Sequence, residues 1–248
     1  MDEKWSTEIT GHDENGEPIV RGYNLLDLIQ KLNFTQAIFL VLKGELPNEK
    51  EEKMFNALLV SSIDHGVGAP STTVARIAAS SGVSTSAAIA TGVAAIGENH
   101  GGAGEAAAKM LQKKVDKSAA EIVAHFKEKD KRIPGYGHKI YKDEDPRTTT
   151  LLKIAQETGF HGKYVKKALE IADELEKSSG KKLPLNIDGA IAAVMSEMGF
   201  DWHLGKSLFI ISRVSGLAAH VAEEQKYGKL RRLSEEEIDY LGPKNRNL

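Results

Sequence analysis

The chain has 248 residues and a mass of 27.0 kDa, and at roughly 150 residues per domain that length fits one large domain or two unequal ones. Hydrophobic residues at 41% and charged residues at 27% exclude a disordered chain, and the net charge of −2 leaves no basic excess to neutralise nucleic acid. The absence of cysteine removes disulfides, thiolate metal sites and a Cys nucleophile.

Residues 1–20 alternate polar and apolar around the turn signal Asp13-Glu14-Asn15-Gly16, which predicts a short two-stranded ribbon. From Asn24 the apolar spacing becomes helical. Leu25, Leu26, Leu28, Ile29 and Leu32 are followed by Ala37, Ile38, Leu40, Val41 and Leu42, until Gly44 and Pro47 break the pattern. Met54, Phe55, Leu58, Leu59 and Ile63 then recur at spacings of three and four, which predicts one amphipathic helix over 49–63.

Residues 71–97 are almost wholly small or apolar, with only Arg76 charged, and predict a central core helix pair. Arg76 is expected to satisfy buried carbonyls or a subunit contact. Residues 109–129 are charged with Ile122, Val123 and Phe126 on one side, and read as a solvated outer helix. The window 130–147 has no period and contains Pro134-Gly135-Tyr136-Gly137, so it is expected to be a loop. Helices are expected over 149–159, 164–178, 186–198 and 208–225, followed by a charged tail that extends rather than packs.

The predicted architecture is therefore all-α with a short N-terminal β-ribbon. The first residues lack a basic segment followed by an apolar one, and no run of about 18 apolar residues occurs, so a cytoplasmic protein without a membrane span is expected.

Glycine flanks five of the histidines, at His12, His65, His100, His138 and His161, and lets a ligand approach the backbone there. No H-e-x-x-H or His-x-His pattern appears, so no metal site is expected and the histidines read as acid, base or hydrogen-bonding groups. Pro134-Gly135-Tyr136-Gly137 could present backbone N–H groups to a phosphate-bearing ligand, with Arg132, Lys139 and Lys142 supplying charge. Asp188, taken alone, is either a helix N-cap or a carboxylate made more basic by Ile187 and Ile191.

Taken together and in order, these segments resemble the citrate synthase superfamily over nearly the whole chain. The resemblance rests on Asp64-His65 with Ser71-Thr72-Thr73-Val74-Ala75-Arg76, and on Asn99-His100-Gly101-Gly102-Ala103-Gly104-Glu105-Ala106. It rests further on Pro134-Gly135-Tyr136-Gly137-His138 running into Asp145-Pro146-Arg147, then Asn186-Ile187-Asp188, Ile211-Ser212-Arg213 and Gly216-Leu217-Ala218-Ala219-His220. Only sixteen residues separate Pro47 from Asp64, where full-length synthases have several more helices. With Leu185-Asn186-Ile187-Asp188-Gly189 and Glu236-Glu237-Ile238-Asp239-Tyr240, this shortening resembles the branch of citryl-CoA lyase and the carboxy-terminal lyase portion of ATP-citrate lyase. His100 departs from that last relative, which carries an aromatic residue there.

The resemblance implies a shortened citrate synthase-like helical fold, with a large part at 1–110 and 185–248 and a small part, holding the CoA loop, at about 111–184. It implies His100, His138 and Asp188 as catalytic residues and His65, Arg147, Arg213 and Arg232 as contacts to the dicarboxylate portion. Arg232 is chosen over Arg231 only by counting back from Glu236. Pro134, Gly135, Tyr136, Gly137, Lys139 and Lys142 are implied as CoA-binding. The implied reaction is cleavage of citryl-CoA to acetyl-CoA and oxaloacetate, with a compact citrate or 2-methylcitrate synthase as the first alternative and a non-catalytic CoA-binding scaffold as the second. No permanently bound cofactor is implied. The implied assembly is a homodimer or larger homo-oligomer with shared sites, supplied by an enzyme that makes citryl-CoA.

Overall fold

The computed structural model describes residues 5–138 and 141–247. Gly16 turns the chain at φ +82°, and β1 (Thr10–His12) pairs antiparallel with β2 (Pro18–Val20), Gly11 facing Ile19. The ribbon gains a third strand that the sequence reading lacked, β3 (Tyr23–Asn24), with Val20 paired to Tyr23. Its cause is a two-residue turn in which Arg21 and Gly22 both have positive φ, at 50° and 84°, the conformation that matches the twist of paired strands. Arg21 holds the turn down by donating from Nε and Nη2 to the Val41 carbonyl at 3.1 and 2.9 Å.

Asparagines start the next three helices. Asn24 caps α1 (Leu25–Lys31), and Asn33 and Asn48 form reciprocal capping boxes with Gln36 and Glu51 at α2 (Phe34–Lys43) and α3 (Glu49–Val60). The expected helix over 49–63 thus stops at Val60.

The chain divides into two compact units, 1–63 with 101–212, and 64–100 with 213–248. In the first, α10 (Ile187–Glu197) is the buried axis, with every residue from Gly189 to Ser196 inside. Against it packs α6 (Ala103–Lys114), whose Gly104, Ala107, Ala108, Met110 and Leu111 are buried. The single solvated helix expected over 109–129 is therefore two helices, and the first belongs to the core. Ser118 forms a capping box with Glu121 and starts α7 (Ala119–Glu128), a helix-start signal that the charge pattern of the segment obscured. α8 (Pro146–Thr158) and α9 (Lys163–Ser179) complete the shell around α10. Phe39, Phe55 and Phe200 meet with ring centroids 5.3–5.5 Å apart, two pairs edge-on and one stacked.

The second unit holds α4 (Pro70–Ser80), α5 (Thr85–Ala94) and residues 213–227 of α11 (Gly205–Tyr227) around Ala75, Ala79, Ala88, Leu217 and Val221. The small residues do permit close approach: a Cβ on Gly92 would stand 2.9 Å from both Ala75 Cβ and the Ser71 carbonyl. The central core position expected for this pair is not what one chain shows. Of α5 only Ala88 and Gly92 are buried, and Thr85, Ser86, Ala87, Ala90, Thr91 and Ala94 are exposed, because one neighbouring face suffices for so small a contact stripe. Residues 228–247 are exposed and form no strand, with one 3-10 turn at Glu235–Glu237. Among the described residues, no helix is long and apolar enough to cross a membrane.

Candidate functional site

In the unit formed by 1–63 and 101–212, the loop expected at 130–147 lies along residues 184–186. Gly137 N–H donates to the Pro184 carbonyl at 2.8 Å, Asn186 N–H to the Gly135 carbonyl at 3.0 Å, and Asn186 Nδ2 to the Gly137 carbonyl at 2.9 Å. The contact is close enough to demand glycine on both sides. A Cβ on Gly189 would stand 2.4 Å from the Gly135 oxygen, and Gly135 itself has φ +91° with Gly189 Cα 2.7 Å from where its Cβ would be. This closeness brings His138 to the N-terminal end of α10.

Asp188 is the second residue of α10, and the cap is Asn186, whose side chain accepts from Gly189 N–H at 3.1 Å. The N-cap reading of Asp188 is therefore corrected: Asn186 satisfies that helix end. Arg147 lies near enough to Asp188 for the carboxylate to favour its charge.

Asp145 organises this group and was missed as a site residue, although the Asp-Pro-Arg triplet contains it. Fully buried, it accepts from Arg147 N–H and Nε at 3.0 Å on Oδ1, and from Arg147 Nη2 at 2.8 Å and Ile187 N–H at 3.3 Å on Oδ2. Burial pushes its carboxyl up, but these donors outweigh that and hold it below the usual range. One carboxylate thus ties Arg147 to the helix that carries Asp188. Arg147 Nη2 in turn lies 3.4 Å from His138 Nε2, so a single oxygen can contact both. His138 stacks on Tyr141 at 4.8 Å, and Tyr141 N–H donates to its Nδ1 at 3.2 Å.

Beside this group opens a cleft of about 870 Å³. Tyr136, Gly137 and Lys142, expected as ligand contacts, line it together with Arg132 and His138. Pro134 and Gly135 do not line it, Gly135 being buried against Gly189. Lys139 lies outside the described residues. The Tyr136 hydroxyl donates to the Ala168 carbonyl at 2.8 Å, and burial pushes its pKa far up, so it anchors the loop to α9 as a neutral phenol. Lys127 and Lys131, which sequence reasoning passed over, add positive charge to the wall. Lys127 stands in the last turn of α7 and Lys131 in the loop just after it.

In the unit formed by 64–100 and 213–248, His100, Arg213 and His65 are electrostatic neighbours. Burial first, and then the charges of Arg213 and His65, lower the His100 pKa, which favours the neutral ring. Ser71, at the start of α4, donates its N–H to His100 Nε2 at 3.3 Å and sets its Oγ 2.8 Å from the same nitrogen. With Nε2 accepting, the neutral ring carries its proton on Nδ1 and presents a donor there. Arg213 is buried and His65 exposed. Ser71 stood in a quoted motif without a role, since a tautomer is set by geometry that spacing does not contain.

Arg76, expected to satisfy buried carbonyls or a subunit contact, meets acidic side chains within its own chain. It forms ion pairs with Glu223 and Glu224 and lies 3.2 Å from His220 Nδ1, because α11 brings these acids beside α4. Arg231 is engaged by Glu224 through two nitrogens, whereas Arg232 is exposed. Among the described residues, no three His, Cys, Asp or Glu side chains gather as a metal-binding group.

A family description for the citrate synthase C-terminal domain matches residues 47–234. The structure of citryl-CoA lyase from Hydrogenobacter thermophilus is 51% identical and superposes with a TM-score of 0.94 over 98% of this chain and 97% of that one. ATP citrate lyase from Methanothrix soehngenii, solved with citrate and coenzyme A, shares the fold at 24% identity and TM-score 0.84 over 98% of this chain and 42% of that chain. Citrate synthase 2 of Bacillus subtilis is 35% identical over 207 residues, 82% of this chain and 54% of the relative. The chain thus spans about half the length of the curated relatives it matches.

Proposed function

The chain belongs to the citrate synthase family, and from that premise we propose that it is a citryl-CoA lyase, cleaving (S)-citryl-CoA to acetyl-CoA and oxaloacetate. The observation that carries the reading is the end-to-end match with the Hydrogenobacter thermophilus lyase, 97% of whose length this chain covers, against 54% for the Bacillus subtilis synthase.

The reaction needs a base for the tertiary hydroxyl, a donor for the enolate oxygen and an acid for the acetyl carbon. His138 takes the hydroxyl proton on Nε2, which requires the ring proton to sit on Nδ1 and the Tyr141 N–H contact there to be given up, and the freed electron pair forms the ketone of oxaloacetate as the carbon–carbon bond breaks. The bonding pair moves onto the acetyl portion as an enolate, whose oxygen accepts from His100 Nδ1–H. A donor fixed beforehand at such an oxygen contributes roughly 3–4 kcal/mol. Ser71 supports this role by holding the ring in the required tautomer. Protonated Asp188 gives its proton to the enolate carbon, and condensation runs through the same groups in reverse.

Arg147, Arg213 and Arg232, with His65, bind the dicarboxylate portion, guanidinium being suited to paired contacts with carboxylate. The cleft lined by Tyr136, Gly137 and Lys142 receives CoA, its phosphates meeting Arg132, Lys127 and Lys131; Pro134 and Gly135 shape the loop, and Lys139 is a further CoA contact in this reading. CoA enters as the substrate's thioester, without a permanently bound cofactor.

The division into a large part, 1–110 with 185–248, and a small CoA-side part at 111–184 belongs to the same reading. So does a homodimer or larger homo-oligomer in which Arg232 completes a neighbour's site, and the exposed small-residue face of α5 supports such an interface. A citryl-CoA synthetase would supply the substrate, and the cytoplasm is the proposed location. Purified protein given citryl-CoA should yield acetyl-CoA and oxaloacetate. Release of citrate and free CoA instead would make it a compact citrate or 2-methylcitrate synthase, and no turnover with retained CoA binding would make it a scaffold.

A further inference from the structure

In the unit formed by 64–100 and 213–248, five side chains make one chain of polar contacts that the reaction does not use. Asp64 Oδ1 lies 3.1 Å from His220 Nε2, and His220 Nδ1 lies 3.2 Å from Arg76 Nη1. Arg76 Nε is 2.6 Å from Glu224 Oε2, and Glu224 receives Arg231 in a two-pronged contact, Nε on Oε1 at 2.6 Å and Nη2 on Oε2 at 2.8 Å.

Glu224 is the pivot. Its side chain is wholly buried between two guanidinium groups, and they hold its carboxyl below the usual range, Arg231 contributing most. The chain turns back over this carboxylate directly after α11, where a Cβ on Gly228 would stand 2.3 Å from Glu224 Oε1. Arg231 N–H then donates to Ser80 Oγ at 3.1 Å. Residues 228–234 form neither helix nor strand, and Leu230 and Leu233 are exposed; beyond the Gly228 N–H bond to the Glu224 carbonyl at 2.7 Å, the Arg231 contacts tie this segment to α4 and α11. Arg232 is the next residue, so the contacts that hold the Arg231 amide and guanidinium also hold the peptide from which the exposed Arg232 side chain departs.

We propose that Glu224 is a positioning residue: by gripping Arg231 it fixes where Arg232 presents its guanidinium, and so sets affinity for the dicarboxylate without touching it. This rests on the reading of Arg232 as a substrate arginine. If the grip is released, the segment occupies the binding position only part of the time, and apparent affinity falls by that fraction. Saturating substrate draws it back, so the maximal rate is retained.

The test compares wild type with Glu224→Gln, Arg231→Ala, Arg231→Lys and the Glu224→Gln/Arg231→Ala double variant. It reads amide exchange over 228–234, calorimetric Kd for oxaloacetate, and KM and kcat with citryl-CoA. Glu224→Gln and Arg231→Ala should each lose protection at the Arg231 amide and raise Kd and KM roughly tenfold or more, the scale of a charged hydrogen bond, with kcat within about threefold. The double variant should be no worse than either single one, and Arg231→Lys should recover part of the affinity. Arg231→Ala leaves Glu224 paired with Arg76, so it tests the grip even if Glu224→Gln fails to fold. Unchanged exchange overturns the proposal, as does lost protection with unchanged Kd, or a fall in kcat at unchanged KM, which marks a structural role alone. Because exchange and oxaloacetate binding need no turnover, a wild type that cleaves no citryl-CoA sinks the lyase reading while the grip is still decided.

Discussion

Asp145→Asn isolates what the buried carboxylate contributes, because asparagine keeps the volume and remains a good N-cap for α8. The amide oxygen replaces Oδ1 and keeps the bonds from Arg147 N–H and Nε. The amide NH2 replaces Oδ2, so Arg147 Nη2 and Ile187 N–H face a donor instead of an acceptor. One charge-assisted bond of ~1.5–3 kcal/mol and one neutral bond of ~0.5–1.5 kcal/mol are lost, about 3 kcal/mol together. This agrees with the lower edge of the ~3–5 kcal/mol found when one partner of a buried ion pair is removed.

The sign with pH follows from the depressed Asp145 pKa: its stabilisation is full above the unfolded value of 3.8 and is lost as pH falls through the lower folded value. Urea unfolding followed by circular dichroism should therefore give a variant about 3 kcal/mol less stable at pH 7, with a gap that narrows below pH ~4. A deficit below ~1 kcal/mol at pH 7, or one that stays constant down to pH ~3, would refute the account of Asp145 as the tie between Arg147 and α10.

Asp188→Asn should lower turnover more than roughly tenfold while leaving oxaloacetate affinity and the unfolding midpoint nearly unchanged, because the amide cannot exchange the proton; steady-state kinetics and calorimetry check this. Ser71→Ala removes the hydroxyl near His100 but not the backbone donor, so kcat should drop by less than in His100→Ala, and equal losses would show that the hydroxyl alone sets the ring. Burial and the nearby Arg213 and His65 charges depress the His100 pKa, so its contribution to stability falls as pH drops below the ordinary value of 6.5 toward the folded value. In unfolding titrations between pH 5 and 7, His100→Gln should flatten that slope. Co-expressed Asp188→Asn and Arg232→Ala chains should recover about a quarter of wild-type activity, since random mixing in two-fold dimers makes half of them hybrids with one intact site each. Mixed dimers without recovery would place Arg232 in its own chain's site or in none. Turnover should survive EDTA, and restoration of lost activity by one divalent ion would count against the mechanism.

Helix positions were legible in the sequence where amphipathic spacing is local, as at Met54, Phe55, Leu58 and Leu59, whereas the capping box at Ser118 lay hidden inside the segment 109–129. Family motifs brought His65, His100, His138, Arg147, Asp188 and Arg213 to notice by residue type and order. Burial was less legible. The charges on α6 suggested solvent, yet its alanines and Gly104 face α10, because a helix with one narrow small-residue stripe can be charged elsewhere and still pack in a core. The same alanine-rich composition suggested a core at α5, which in one chain stays mostly exposed.

By itself, then, the sequence determined the helical class and the N-terminal turn at Asn15-Gly16, which depend on neighbours within a few residues, while the proposed acid, base and cationic groups came from its resemblance to a family. Only the tertiary structure decided what holds those groups. Asp145 reaches across forty-two residues to Ile187, Ser71 reaches twenty-nine to His100, and Glu224 receives Arg76 from α4 and Arg231 from the tail. Each of these is a polar group whose worth comes from burial beside a partner distant in sequence, and neither the burial nor the partner is encoded in local spacing.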